Sequence, residues 1–393
     1  MKRTALFLAL LLVGITPAVA VPKSVAVKKL TIIATVNAEA MVVTGKTIIT
    51  VSNTEGLNSN ILLTGMDISG AQLWQKTIDS GVDEIALASA VDPLGNVWLA
   101  GASSVLTSVE SATAPIQAEN PDGVIAEPVT KLRADMNQLT LWKISPLGDL
   151  LGTYMLSQSA PALINAISVN ASGVSIVGQL LDKPFLISAS ANGVFGKVIS
   201  IGTSKTQLGA LVRHSDGSLS VFGSSAETLA GKKLAGLRDG VLIRVSKTGA
   251  IASVVRSSAP KANRTWLASD STLALTGFVK SGKVVETAFT KFTMAFAPTW
   301  TLRVPSLGTS TVLTAGKTTF GAISSSSAVT GVIGWKPTST SVLLLALDVK
   351  GVIAGAYGSS EITEPISLAY SKELGLIGLA KTSVQSVSLF KLP

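Results

Sequence analysis

Beyond its first twenty residues the chain is a succession of apolar clusters, four to seven residues long, rich in Val, Ile, Leu and Thr and separated by Gly, Asn, Asp and Ser. No window longer than about ten residues holds a helical period, so the pattern predicts strands and turns and an all-β chain. The stretch "VDPLGNVWLAGASS", Val91 to Ser104, contains the unit in miniature: a strand end, a tight turn and a second strand closing on glycine.

That unit recurs. Strands that precede a turn ending in glycine align on Asp67, Ser145, Ser190, Ser246, Thr293 and Asp348, and a last strand, "VSLFKLP", puts Pro393 at the same position. Successive anchors lie 78, 45, 56, 47, 55 and 45 residues apart, a basic unit near 45 with insertions in alternate gaps. A second landmark, a turn feeding a strand that usually holds glycine, follows each anchor after 23 to 28 residues: "GNVWLAG", "GVSIVG", "GSLSVFG", "STLALTG", "GKTTFGA" and "ELGLIG". Periods of this size belong to propeller blades or solenoid coils.

The ends favour a propeller. Taking each anchored strand as the first of its unit, the chain stops after a seventh first strand, while the N-terminus supplies "VAVKKLTIIAT", "AEAMVVT" and "KTIITVSN" without one. A ring closed by pairing the C-terminal strand with N-terminal strands leaves no orphan and no open edge. The expected fold is therefore a seven-bladed β-propeller of four-stranded blades. An outer-membrane barrel is the rival, but lipid-facing strands alternate apolar and polar residues between aromatic girdles. Here "VLLLAL" is a continuous apolar run, as in strands buried on both faces, and aromatics are 5% of residues.

Residues 1–20 read as a signal peptide: Lys2 and Arg3, the run "ALFLALLLVGI", then Ala18-Val19-Ala20 in the small-x-small form that signal peptidase cuts. Cleavage after Ala20 leaves residues 21–393 as a single propeller domain, secreted or otherwise extracytoplasmic, with no transmembrane segment. With no cysteine there is no disulfide framework and no acceptor for lipoprotein acylation. The net charge of +9 includes Lys2 and Arg3, so the exported chain carries +7. Its densest basic groups, "KSVAVKK" at 23–29 and "GKKLAGLR" at 231–238, lack interleaved aromatics, which argues for solvated faces and against nucleic acid.

At "MDISGAQLWQKTIDSGVDEIALASAVDPLGNVWLAG", Met66 to Gly101, the sequence resembles the bacterial SBBP-type β-propeller repeat. Asp67, Gly70, Leu73, Trp74, Gly81, Asp83, Glu84, Asp92, Gly95, Asn96, Val97, Trp98 and Gly101 carry the likeness in order. The other units keep the spacing and several glycines but not the Asp-Glu pair. The resemblance implies a propeller and secretion, and no shared activity. Trp74 and Trp300 fall at equivalent positions and are also similar to the docking tryptophans of pyrroloquinoline-quinone propellers; wedges between blades are the plainer reading. No cofactor is assigned.

Candidate chemistry is thin. His214, the sole histidine, lies in "RHSDG" and reads as a surface turn before a blade's last strand. One histidine and no cysteine make no His-rich metal site and no Cys-His pair. Asp83, Glu84 and Asp92 read as turn residues. The insertion 105–138 should project from a blade edge as a cover or partner-binding loop, and segments 226–238 and 324–339 leave from alternate blades too. The expected function is a monomeric, non-catalytic binding or scaffold module for a protein or polysaccharide of the cell envelope. The alternative is an extracytoplasmic hydrolase or quinoprotein-like enzyme using acidic residues around a central channel.

Overall fold

The computed structural model describes residues 24–55, 58–105 and 133–393; residues 1–20, read above as a signal peptide, and most of the insertion lie outside these. Two N-terminal strands come first, β1 (Val25–Lys29) and β2 (Thr31–Val36). One sheet holds β3 (Ala40–Thr44), β4 (Thr47–Asn53), β5 (Ile61–Met66) and β6 (Gln72–Ile78), and the next holds β7 (Glu84–Val91), β8 (Val97–Ser103), β9 (Gln138–Ile144) and β10 (Leu150–Ser157). A third is built of β11 (Ala162–Asn170), β12 (Gly173–Leu180), β13 (Lys183–Ser190) and the two-residue β14 (Ile199–Ser200). Then come β15 (Thr206–Arg213), β16 (Leu219–Ser225), β17 (Asp239–Val245) and β18 (Ile251–Ser257), followed by β19 (Asn263–Ser269), β20 (Ala274–Ser281), β21 (Val284–Phe292) and β22 (Pro298–Pro305). β23 (Ser310–Ala315), β24 (Thr318–Ser325), β25 (Val332–Ile333), β26 (Ser341–Leu347) and β27 (Ile353–Ser359) share a sheet with β1, and β28 (Ile362–Ser371), β29 (Gly375–Thr382) and β30 (Val387–Lys391) share one with β2.

This is an all-β propeller of four-stranded blades. Six sheets are four-stranded; the remaining sheet has six strands, in the order β23-β24-β26-β27-β1-β25. The uniform four-strand expectation is corrected there, because β1 adds in parallel to the edge of β27 and takes β25 on its other side.

The phase of the repeat is also corrected. Every anchored strand is the third of its sheet, and every glycine-bearing landmark strand is the second. Of the three N-terminal segments, only Thr31–Val36 meets the C-terminal strand, antiparallel, from Thr31 opposite Lys391 to Val36 opposite Val387. β3 and β4 instead open a sheet with β5 and β6. A 45-residue spacing fixes how far apart like strands lie but not which of them leads, so the sequence pattern carried no phase.

Burial explains the patterning. Middle strands such as β8 and β26 are buried along their whole length, whereas the outer strands β6 and β10 alternate. Apolar layers separate neighbouring sheets: Ile49, Val51 and Leu63 meet Val97, Leu99 and Trp142, and Ile377, Leu379 and Leu389 meet Met41, Val43 and Ile48. Discrete sheets stacked through such layers are not the single continuous wall of a membrane barrel. Among the described residues no helix is long and apolar enough to cross a membrane.

The second-strand glycine has a geometric cause. The innermost strand bulges between Ala86 and Ala88, and a Cβ on the facing Gly101 would stand 1.8 Å from the Ile85 carbonyl oxygen. The bulges beside Gly178, Gly223 and Gly277 impose the same restriction.

Candidate functional site: a cleft between two sheets

The anchor residues do turn chemistry. Asp67 Oδ1 accepts from the N–H groups of Ser69 (2.8 Å) and Ala71 (3.0 Å), and Asp348 Oδ1 from those of Lys350 (2.8 Å) and Val352 (2.9 Å). Ser145, Ser190, Ser246 and Thr293 accept the same fourth-residue N–H through their hydroxyls, which is why Asp, Ser and Thr alternate at this position. Asp92 behaves as expected, accepting from Leu94 and Asn96 N–H groups at 2.9 Å each. It also takes Trp98 Nε1–H at 3.3 Å.

Asp83 and Glu84 are corrected from turn residues to buried ties. Asp83 accepts Ser59 N–H (2.6 Å) and pairs with Arg133 (2.7 Å), fastening the end of the insertion. Glu84 accepts from Ser80 Oγ (2.9 Å) and Trp142 Nε1 (3.3 Å); burial raises its carboxyl above the usual range despite those bonds. Segments 226–238 and 324–339, and what is described of 105–138, all connect second to third strands of alternate sheets, as the spacing implied. Whether the insertion binds a partner falls outside the described residues.

Trp74 and Trp300 are wedges. Trp74, on outer strand β6, lies over Gly148 in the β9–β10 turn of the adjoining sheet, and Trp300, on β22, lies over Gly351 in the β26–β27 turn. Tyr154 covers Gly193 in the same way, and Ile33 with Ala34 of β2 cover Gly70. Each of these turn glycines has positive φ, from 77° to 85°, so one residue type supplies both the left-handed backbone and the flat seat.

A cavity of about 500 Å³ is lined by the innermost strands and is mostly Ala, Val, Leu, Ile and Ser; among the described residues Glu39 is the one carboxylate in its lining. Glu39 accepts a hydrogen bond from the Asn53 amide. Among the described residues this cavity does not bring together the carboxylate pair that the hydrolase alternative uses.

The larger opening, about 1010 Å³, lies between the β11–β14 and β15–β18 sheets. It exists because β14 is two residues long where outer strands such as β2, β6, β10 and β22 have six to eight. After Gly196 the chain leaves β13 and rejoins it only at Ile199 and Ser200, so no broad wedge fills the junction.

Arg213, the last residue of β15, reaches across it. Its Nε–H is shared by Asn170 Oδ1 (3.2 Å) and Ser172 Oγ (3.3 Å), Nη1 donates to Ser175 Oγ (2.8 Å) and Nη2 to Ser172 Oγ (3.1 Å). All partners are neutral. Half-burial without a carboxylate lowers the guanidinium pKa, yet from so basic a starting point the group stays charged at neutral pH. Lys197 and Lys247 also line the cleft, against one acid, Asp216. That carboxylate is engaged by the Ser218 hydroxyl (2.7 Å) and N–H (2.9 Å), which hold its pKa below the ordinary range. Ser188, Ser200, Ser215, Ser246 and Thr248 complete the polar lining, which among the described residues holds no aromatic side chain.

His214 is corrected: it precedes the second strand of its sheet and is half-buried rather than a free surface residue. Its Nε2 lies 2.8 Å from Ser220 Oγ, and its carbonyl accepts Asn170 Nδ2–H at 2.7 Å. Burial, and then the nearby Arg244 charge, press its pKa down. Arg213 was not legible as a site residue, because its significance depends on a neighbouring sheet that is 38 to 43 residues away along the chain.

No family model and no curated protein matches the chain, so the likeness to the SBBP-type repeat finds no family support. Solved structures do match. The WD40 domain of Toxoplasma gondii coronin superposes with a TM-score of 0.51 at 11% identity, over 95% of this chain and 88% of that one. A protein from Lactobacillus plantarum matches with a TM-score of 0.49 at 10% identity, over 88% and 95% of the two chains. The Neurospora crassa Pan2 WD40 domain gives 0.41 at 8% identity, over 78% and 89%. The coronin domain supports the propeller fold and nothing about activity.

Proposed function

We propose that this chain is an exported, SBBP-like binding propeller: a closed ring of seven units that holds a polysaccharide of the cell envelope in the cleft between the β11–β14 and β15–β18 sheets. Export rests on residues 1–20 and the cysteine-free composition. Ring closure is supported by the β2–β30 pairing and by contacts that run from β3 through β7, β11, β15, β19, β23 and β28 back to β3.

The observation that carries the binding role is the 1010 Å³ cleft with a half-buried Arg213 held only by neutral groups. Pockets of this size accommodate small ligands or a few linked rings. A saccharide suits the lining better than a protein does, since protein hot spots centre on buried aromatic anchors while this lining offers hydroxyls.

Sedimentation of the purified chain with insoluble envelope polysaccharide tests the reading. Retention should fall roughly tenfold in a Lys197→Glu/Lys247→Glu variant, the effect expected for losing charge-assisted contacts. Undiminished retention of that variant would remove the cleft from the function. Cell fractionation tests export: an uncleaved chain confined to the cytoplasm would end the extracytoplasmic reading.

A further inference from the structure

We infer that the cleft selects a carboxylate-bearing saccharide, a uronate-type oligomer, with the carboxylate seated on Arg213. The inference rests on the binding role proposed above and adds the chemical class of the ligand. It follows from counting donors. A guanidinium has five N–H groups; one on Nε, one on Nη1 and one on Nη2 are used by Asn170, Ser172 and Ser175. One N–H on each Nη is left without a partner among the described residues, and such a pair can grip the two oxygens of a carboxylate.

The serine and asparagine partners fix the guanidinium before any ligand arrives, so little rotamer freedom remains to be lost on binding. They also leave its charge uncompensated. Asp216 does not neutralise it, being turned to its own Ser218. Lys197 and Lys247, exposed along the opening, add positive charge for further acidic rings. The hydroxyls of Ser200, Ser215, Ser246 and Thr248 can both donate to and accept from sugar hydroxyls. With no aromatic face available to stack on a ring, charge rather than ring packing must supply most of the discrimination.

The discriminating pair of probes is a hexamer of galacturonate and the same hexamer with its carboxylates reduced to alcohols, titrated calorimetrically into the purified chain. The acidic hexamer should bind at least about tenfold more tightly, as expected for one charge-assisted bidentate contact, and should weaken as salt rises. Arg213→Gln should remove most of the preference, leaving the smaller part that Lys197 and Lys247 supply. Lys197→Ala/Lys247→Ala, at exposed positions that cannot unfold the chain, should reduce affinity for the acidic hexamer and not for the reduced one. Equal affinity for the two hexamers, suppressed by Lys197→Glu/Lys247→Glu, would overturn the carboxylate assignment while preserving the cleft as a saccharide site. Failure of both hexamers to bind would overturn the assignment as well; if that charge-reversed variant still lost envelope retention, the binding role would survive it.

Discussion

Two junctions built on the same plan end differently. Where the β3–β6 sheet meets the β7–β10 sheet, Trp74 on a seven-residue outer strand sits on Gly148 and the apolar layer beneath is complete. Where the β11–β14 sheet meets the β15–β18 sheet, the outer strand is two residues long, Ile199 reaches only the edge of Gly249, and the junction opens into the cleft. Both keep an apolar floor. The lesson is that outer-strand length decides whether a junction is sealed or offers a site, while the inner strands pack against one another in either case.

Turn glycines should give the largest contrast. A Cβ at Gly193 would stand 1.9 Å from the Tyr154 ring with φ at 77°, so Gly193→Ala should cost about 3 kcal/mol from left-handed strain plus overpacking. At the open junction, Gly249→Ala meets only the Ile199 Cδ1 methyl at 2.8 Å, which can swing toward the cleft, and should cost about 1–2 kcal/mol. Urea midpoints measure both, and equal losses would break the contrast.

Removing the wedges comes next. Trp74→Ala should destabilise by about 3 kcal/mol, whereas Ile199→Ala, already beside a void, should cost about 1 kcal/mol. If the two cost the same, the cleft is not the looser junction.

The smallest effect is a pH dependence at the open junction. The folded chain holds His214 below its ordinary value, so the unfolded chain binds the proton more readily. The stabilising contribution is full above the unfolded pKa, about 6.5, and is lost as pH falls through that value toward the folded one. Partial exposure keeps the loss below about 1 kcal/mol between pH 7.5 and 5.5. His214→Gln should flatten that slope, and an unchanged slope would assign it to other groups.

Much of this was legible. Asp67, Asp92 and Asp348 announced turns because a short acceptor side chain closes on its own backbone, a local matter that sequence expresses directly. Gly101 and its equivalents marked the landmark strand of each unit, though not that a bulge in the preceding strand excludes a side chain there. The likeness at Met66 to Gly101 placed Trp98 and Asp92 together in one unit, and their side chains do meet. Asp83 and Glu84 were misread because their partners are remote in sequence, Arg133 at the end of the insertion and Trp142 just after it.

By itself, then, the sequence determined the all-β class, the repeat, its spacing and the positions of the turns, since each follows from interactions within a few residues. Tertiary structure decided the phase of the repeat, the addition of β1 to a six-stranded sheet and the opening beside β14. Those depend on which strand edge finds its hydrogen-bond partners across tens to hundreds of residues, as β2 does with β30, a choice that the local alternation of side chains leaves undetermined.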